Sequence, residues 1–110
     1  MLDTTYLIVP NTVAQDERLN NFDKLLFGKI YSLTKQQGYC WATNEYFASY
    51  FKESQSYISK SMKRLEQCGY INREINNTKE NSKRRKVFVN YDNLYNLDLE
   101  SKKNDNSLGL

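Results

Sequence analysis

The chemistry open to this chain is bounded first by an absence: its 110 residues include no histidine. Without imidazole no Ser-His or Cys-His nucleophile pair can be assembled, and no side chain has an unperturbed pKa near neutrality. The two thiols, Cys40 and Cys68, stand 28 positions apart, without the C-x-x-C spacing or the imidazoles that complete a zinc tetrahedron. Both are expected as small core residues, reduced in an intracellular chain. Asp16, Glu17 and Asp23 fall near the start of an expected helix, where the helix dipole is a sufficient reason for them. They do not form the carboxylate cluster of a metal-dependent nuclease. The expectation is a protein without catalytic residues, metal or cofactor.

What remains is positive charge. Residues 1–50 carry 4 basic and 5 acidic side chains, residues 51–91 carry 10 and 4, and residues 92–110 carry 2 and 4. The overall charge of +3 therefore conceals a central segment of net charge +6, enough to attract a polyanion. Its cations form two groups. Lys60, Lys63 and Arg64 are interspersed with Gln55, Ser56, Tyr57, Ser59 and Ser61, while Lys79, Lys83, Arg84, Arg85 and Lys86 place five positive charges in eight residues, with Arg73 upstream.

The elements that must position these groups can be read from apolar spacing. Leu19, Phe22, Leu25, Leu26, Ile30 and Leu33 recur at helical intervals and predict a first helix over about 20–35, ended by Gly38. Tyr39-Cys40-Trp41-Ala42 predicts a short strand. Thr43 then caps a second helix from Asn44 to Phe51, with Glu45 in its first turn and Phe47, Ala48 and Phe51 inward. Ser54 caps a third helix from Gln55 to Cys68, whose narrow apolar stripe is Ile58, Met62, Leu65 and Cys68. After Gly69, strands from Tyr70 to Ile75 and from Lys86 to Val89 enclose the polar stretch 76–84 as a hairpin. Trp41, with Tyr39, Tyr46, Phe47, Tyr50 and Phe51, is expected in the core between helices, in preference to a stacking platform for single strands.

One domain is expected from the length, with about two-thirds of the unfolded surface buried. Residues 1–15 form an N-terminal arm in which Tyr6-Leu7-Ile8-Val9-Pro10 is an edge strand or an extended segment suited to homodimer contacts. The domain proper covers 16–91, and 92–110 is a C-terminal extension that covers a core edge through Leu94, Tyr95, Leu97 and Leu99 and ends in a disordered tail. No secretory leader is recognisable, and no apolar run approaches the ~20 residues that span a bilayer. A cytoplasmic protein with no membrane partner is expected.

Helix, short strand, helix, turn, helix and hairpin is the element order of a winged helix-turn-helix domain. The expected fold class is mainly α with a small β-hairpin (α+β): three helices and a two- to three-stranded antiparallel wing sheet. The stretches LLFGKIYSL (25–33), GYCWATNEYFA (38–48) and 54–71 resemble the N-terminal winged-helix domain of replication initiators and replisome organisers from Gram-positive phages and plasmids. The resemblance covers roughly 6–91, and GYCWATNEYFA is its more specific part. It implies origin or operator binding by the third helix and wing, often as a dimer. Family members usually continue into a further domain, which leaves open both a fragment and a stand-alone regulator. Lys52 and Glu53 stand where many helix-turn-helix units have Gly and an apolar residue, so a longer variant of the turn is expected.

An α-helix fits the major groove of B-DNA. Ser56, Tyr57, Lys60, Ser61 and Arg64 are expected toward the bases and groove, with Gln55, Ser59 and Lys63 nearer the phosphates. Tyr57 has an equal alternative, packing on the second helix. Lys79, Lys83, Arg84, Arg85 and Lys86 are expected over flanking phosphates or the minor groove, and Arg73 either joins them or pairs with Glu74 or Glu66. Both charged faces also have the plainer reading of solvated surface. A transcriptional repressor or a plasmid-partition adaptor would use the same residues on double-stranded DNA. A replisome or partition protein docked on the winged helix is the rival reading, since fold alone does not determine function.

Overall fold

The computed structural model describes residues 6–77 and 82–94. Four helices precede a two-stranded antiparallel sheet: α1 (Asn11–Ala14), α2 (Asn21–Gln37), α3 (Asn44–Phe51), α4 (Gln55–Gln67), β1 (Ile71–Asn77) and β2 (Ser82–Val89). With its helix-turn-helix pair α3 and α4, this is a winged-helix α+β fold.

The helix ends follow from capping. Asn20 and Asp23 form a reciprocal capping box at the start of α2: the Asp23 N–H donates to Asn20 Oδ1 at 2.8 Å, and the Asn20 N–H to Asp23 Oδ2 at 3.0 Å. Gly38, at φ 87°, closes the other end of α2. Thr43 and Ser54 accept from the N–H groups of Tyr46 and Tyr57, starting α3 and α4 at the positions expected from sequence.

Between α3 and α4 the turn is tight, not the longer variant expected. Lys52 adopts the left-handed conformation (φ 59°) that Gly would take at less expense, and the Glu53 N–H donates to the Ala48 carbonyl at 2.9 Å. That bond is a second one to the Ala48 carbonyl, which also accepts from the Lys52 N–H, and it lets Ser54 begin α4 at once.

The core is built where α2, α3 and α4 meet the sheet. Leu26, Phe27, Ile30, Phe47, Ile58, Met62 and Leu65 are fully buried, and Ile71, Val87 and Val89 close the core from the sheet side. Burying each large apolar side chain contributes about 1.5–3 kcal/mol relative to leaving it exposed. Cys40 is part of this core, Cys68 is half-buried beside it, and both are free thiols.

Two strand expectations are revised. Residues 39–42 contribute a single bridge, Cys40 with Val87, not a third strand; the two residues exchange N–H···O bonds of 2.8 and 2.9 Å. The wing strands extend into the polar stretch that read as loop, pairing Glu74 with Lys86, Ile75 with Arg85 and Asn76 with Arg84. Antiparallel backbone pairing needs no apolar side chains, so alternation stops before the ladder does.

At the N-terminus, residues 6–10 are extended and join no ladder among the described residues. They cross α2 at Gly28, where a Cβ would lie 3.1 Å from Val9 Cγ2 and 3.3 Å from Leu7 Cβ. Pro10 then starts α1, a helical turn absent from the sequence reading, which buries Val13. At the other end, residues 91–94 form a helical turn that buries Leu94. Asn93 Nδ2 donates to the Gly69 carbonyl at 2.5 Å, and Thr12 Oγ1 to the Leu94 carbonyl at 3.3 Å, so both ends of the domain converge on the α4–β1 turn. Tyr95, Leu97 and Leu99 lie outside the described residues, as does the expected tail.

Two substitutions test these turns. Lys52→Gly is expected to raise stability in urea unfolding by up to about 1 kcal/mol, by relieving the left-handed backbone. Gly69→Ala is expected to lower it by about 1–3 kcal/mol, because a Cβ at φ 86° is strained and would meet Asn93 Nδ2 at 2.6 Å. Gly38→Ala, with open space around it, should lose less than Gly69→Ala.

Candidate nucleic-acid interface

The pose of α4 is set by one buried side chain. Asp23, in the first turn of α2, has no exposed surface and accepts at both carboxylate oxygens from α4. Ser61 Oγ donates to Asp23 Oδ1 at 2.6 Å, while Arg64 Nε donates to Oδ2 at 2.6 Å and Arg64 Nη2 to Oδ1 at 3.3 Å. Burial alone would push this carboxyl upward, but the bonds from Arg64, Ser61 and the Asn20 N–H outweigh it and hold the pKa below its usual value. Asp23 thus does more than answer the α2 dipole: it ties α2 to α4.

Two expected groove residues are therefore engaged by Asp23. Ser61 is 1 % exposed, and its hydroxyl is committed to Asp23. Arg64 pairs through its guanidinium with Asp23 on α2, while its side chain keeps 38 % of its exposure. The signal for Ser61 was present in its spacing: Ile58, Ser61, Met62 and Leu65 are one continuous inward face, and a hydroxyl there requires a buried acceptor. Tyr57 is half-buried, its ring 4.9 Å from that of Phe22 on α2.

What α4 exposes is a ridge of Gln55, Ser56, Ser59, Lys60 and Lys63, continued by Gln67. No acidic residue is among its exposed positions. Glu66, the carboxylate of this helix, is half-buried and paired with Arg73 Nη2 at 2.6 Å; that hydrogen bond holds its pKa below the usual range. Of the alternatives for Arg73, the pairing with Glu66 is the one formed.

The wing divides in the same way. Arg85 turns to the start of α3, donating from Nη2 to the Ala42 carbonyl at 2.6 Å and from Nη1 to Asn44 Oδ1 at 2.8 Å. Burial lowers its pKa, its Nε is buried without a partner, and it is an anchor of the wing in place of the free cation expected. Lys86 lies on the other sheet face, its Nζ 4.8 Å from the Tyr39 ring centroid. For Lys83 and Arg84 the side chains, and for Lys79 the whole residue, lie outside the described residues.

The aromatic set is split. Phe47 is buried, and Tyr39, Tyr46 and Phe51 are half-buried, but Trp41 and Tyr50 are 42 % and 47 % exposed, contrary to the core assignment. Tyr50 sits on the outward side of α3, and Trp41, just before that helix, lies edge-on to Tyr46.

Fold and surface together define a winged helix with an exposed polar, cationic ridge on the second helix of its helix-turn-helix. A family described as helix-turn-helix domain matches residues 17–71, half of the chain. The chain belongs to this helix-turn-helix family, which points to DNA as its partner. No curated protein sequence matches it significantly. Among the described residues no helix is long and apolar enough to cross a membrane.

Removing the carboxylate at the centre of the α2–α4 contact tests its weight. Asp23→Ala leaves Ser61 and Arg64 without their acceptor, and a loss of about 2–4 kcal/mol is expected by urea unfolding. The pH dependence has a definite sign. Asp23, Glu66 and Asp16, the last held low chiefly by hydrogen bonding to Arg18, all have carboxyls depressed by folding. Their contribution is complete above about pH 4.5 and is lost as pH falls through the folded-state values. Stability should therefore fall steadily below about pH 4.5, and Asp23→Asn should flatten that fall.

Proposed function

We propose that this chain binds double-stranded DNA with sequence preference, laying the exposed ridge of α4 in the major groove and the basic wing along the flanking backbone, in the initiation of phage or plasmid replication. The observation that carries the DNA reading is the ridge itself: Gln55, Ser56, Ser59, Lys60 and Lys63 are exposed together, while Arg64, Arg73 and Glu66 are occupied internally. Lys60 and Lys63 neutralise phosphates and release counterions, and Gln55, Ser56 and Ser59 offer hydrogen bonds to base edges. No catalytic step is part of this reading. The replication role is supported by the resemblance of 25–33, 38–48 and 54–71 to initiator winged helices.

A salt series on duplex DNA tests the surface. Affinity should fall linearly with log salt, and Lys60→Ala and Lys63→Ala should each reduce the slope by about 1, the loss of one phosphate contact. Gln55→Ala or Ser56→Ala should relax sequence preference by about 1–3 kcal/mol at one base step with little change in slope. Unchanged binding in a Lys60→Glu/Lys63→Glu double variant that remains folded would sink the assignment. Footprinting on the parent replicon separates the roles: protected repeats inside an origin support initiation, and protection confined to a promoter points to repression.

A further inference from the structure

The aromatic rings outside the core form a row. Trp41 and Tyr50 are exposed, and the half-buried Tyr46 joins them: Trp41 meets Tyr46 edge-on at 5.2 Å, and Tyr46 stacks on Tyr50 at 6.2 Å and 13°. Tyr46 and Tyr50 also meet Phe47 and Phe51 edge-on, so the row is rooted on the inward rings of α3. It continues onto the sheet. Cys40 and Val87 are bridged antiparallel with both side chains buried, so their neighbours Tyr39, Trp41, Lys86 and Phe88 share the opposite, outer face. The register of that bridge sets Tyr39 across from Phe88, ring centroids 6.0 Å apart, and Trp41 across from Lys86. Two ammonium groups lie on the rings: Lys86 Nζ is 4.8 Å from the Tyr39 centroid, and Lys29 Nζ is 4.2 Å from that of Tyr50. The other large exposed apolar residues belong to other elements, Tyr6 and Ile8 to the arm, Leu25 to α2, Ile75 to β1 and Tyr91 to the turn after β2, and the row does not depend on them.

We infer that this row is a stacking platform for single-stranded DNA, separate from the α4 ridge. The choice of a nucleic acid rests on the alternation of ring and ammonium. Every base offers a π-face to a ring, whatever its identity, and a strand running from Tyr39 past Trp41 to Tyr50 brings its phosphates to Lys86 and Lys29. An apolar protein surface laid on the same row would have to bury both ammonium groups unpaired. DNA is chosen over RNA because the helix-turn-helix family points to DNA; duplex binding by the ridge is not required. Glu74, across from Lys86, and Glu45, in the first turn of α3, offset the two lysines. Stacking, more than counterion release, therefore supplies the affinity, and its salt dependence is shallow. No member of the row belongs to α4, so a single strand here and a duplex on the ridge engage different residues.

Trp41, the one tryptophan of the chain, reports the contact directly. Titrating the full chain with an oligo(dT) of about ten nucleotides should quench Trp41 emission saturably, with a salt slope no steeper than about 0.7 for each of the two lysines. By anisotropy of a labelled oligo(dT), Trp41→Ala and Tyr50→Ala should each weaken binding about five- to a hundredfold, whereas Trp41→Phe and Tyr50→Phe, which keep a ring, should retain most of it. Lys29→Gln and Lys86→Gln should each lower the slope by about 0.7. Lys60→Gln/Lys63→Gln separates this surface from the ridge: it should impair duplex binding and leave the quenching of Trp41 by oligo(dT) in place. Absence of quenching at hundreds of micromolar oligo(dT) overturns the inference and leaves the duplex reading standing. Binding of oligo(dT) that survives Trp41→Ala/Tyr50→Ala in a folded protein, or that is abolished by Lys60→Gln/Lys63→Gln, also overturns it. An oligo(rU) bound more tightly than oligo(dT) overturns the choice of DNA. Quenching by oligo(dT) in a protein that binds no duplex supports the platform and sinks the duplex reading alone.

Discussion

A carboxylate with no access to water fixes how α4 is presented. Asp23 binds its own helix start through Asn20 and binds α4 through Ser61 and Arg64, so one side chain sets the end of α2 and the roll of α4 together. A buried charge of this kind is tolerated only when its oxygens are fully engaged, and here they accept from Asn20, Ser61 and Arg64. Rolling α4 by one residue would move its side chains about 100° and break the contact. The ridge of Ser56, Lys60 and Lys63 points outward because Ser61 and Arg64 are held inward.

The same arrangement recurs at lower burial around the sheet. Tyr70, 1 % exposed, donates its hydroxyl to Asp16 Oδ2 at 2.7 Å, and Asp16 is held in turn by Arg18. Burial and that carboxylate push the Tyr70 phenol up to about 12, so the hydroxyl remains a donor throughout the neutral range. At the wing, Arg73 reaches back to α4 and Arg85 to the start of α3. Each strand of the hairpin is thereby tied to a different helix of the helix-turn-helix pair, and the wing is braced from both sides.

Much of this was legible in sequence for a local reason. Thr43, Ser54 and Gly38 are caps, and caps act on backbone groups three or four residues away, so α3 and α4 began where their residues said they would. The inward face of α4 was legible from Ile58, Met62 and Leu65. The partners of Asp23 were not, because they lie 38 and 41 positions away and local spacing carries no information about which distant charge a buried carboxylate meets. Trp41 and Tyr50 were misread for the opposite reason: aromatic composition resembles core, and only the packing of α3 on α4 decides which rings turn outward. Lys52 shows a third case, in which a backbone bond from Glu53 to Ala48 offsets a left-handed conformation that residue preference argues against.

Taken together, the described guanidinium groups and the lysines on α4 divide the positive charge by geometry. Arg18, Arg64, Arg73 and Arg85 each meet an internal acceptor, three of them carboxylates, and the planar fork of the guanidinium suits such fixed contacts. Lys60 and Lys63 carry flexible ammonium groups into solvent. An ammonium attracts a phosphate from many directions and specifies little geometry, so orientation on a duplex must come from the rigid placement of the helix that carries it. Arginines paired within the domain, Arg64 above all, provide that placement. On the proposed DNA reading, the exposed residues of α4 that offer hydrogen bonds to base edges are Gln55, Ser56, Ser59 and Gln67, Gln being able to engage adenine through two bonds. Building the scaffold from arginine and the open surface from lysine and short polar groups therefore assigns rigidity and exposed charge to different side chains, and a change in the exposed lysines need not disturb the scaffold that carries them.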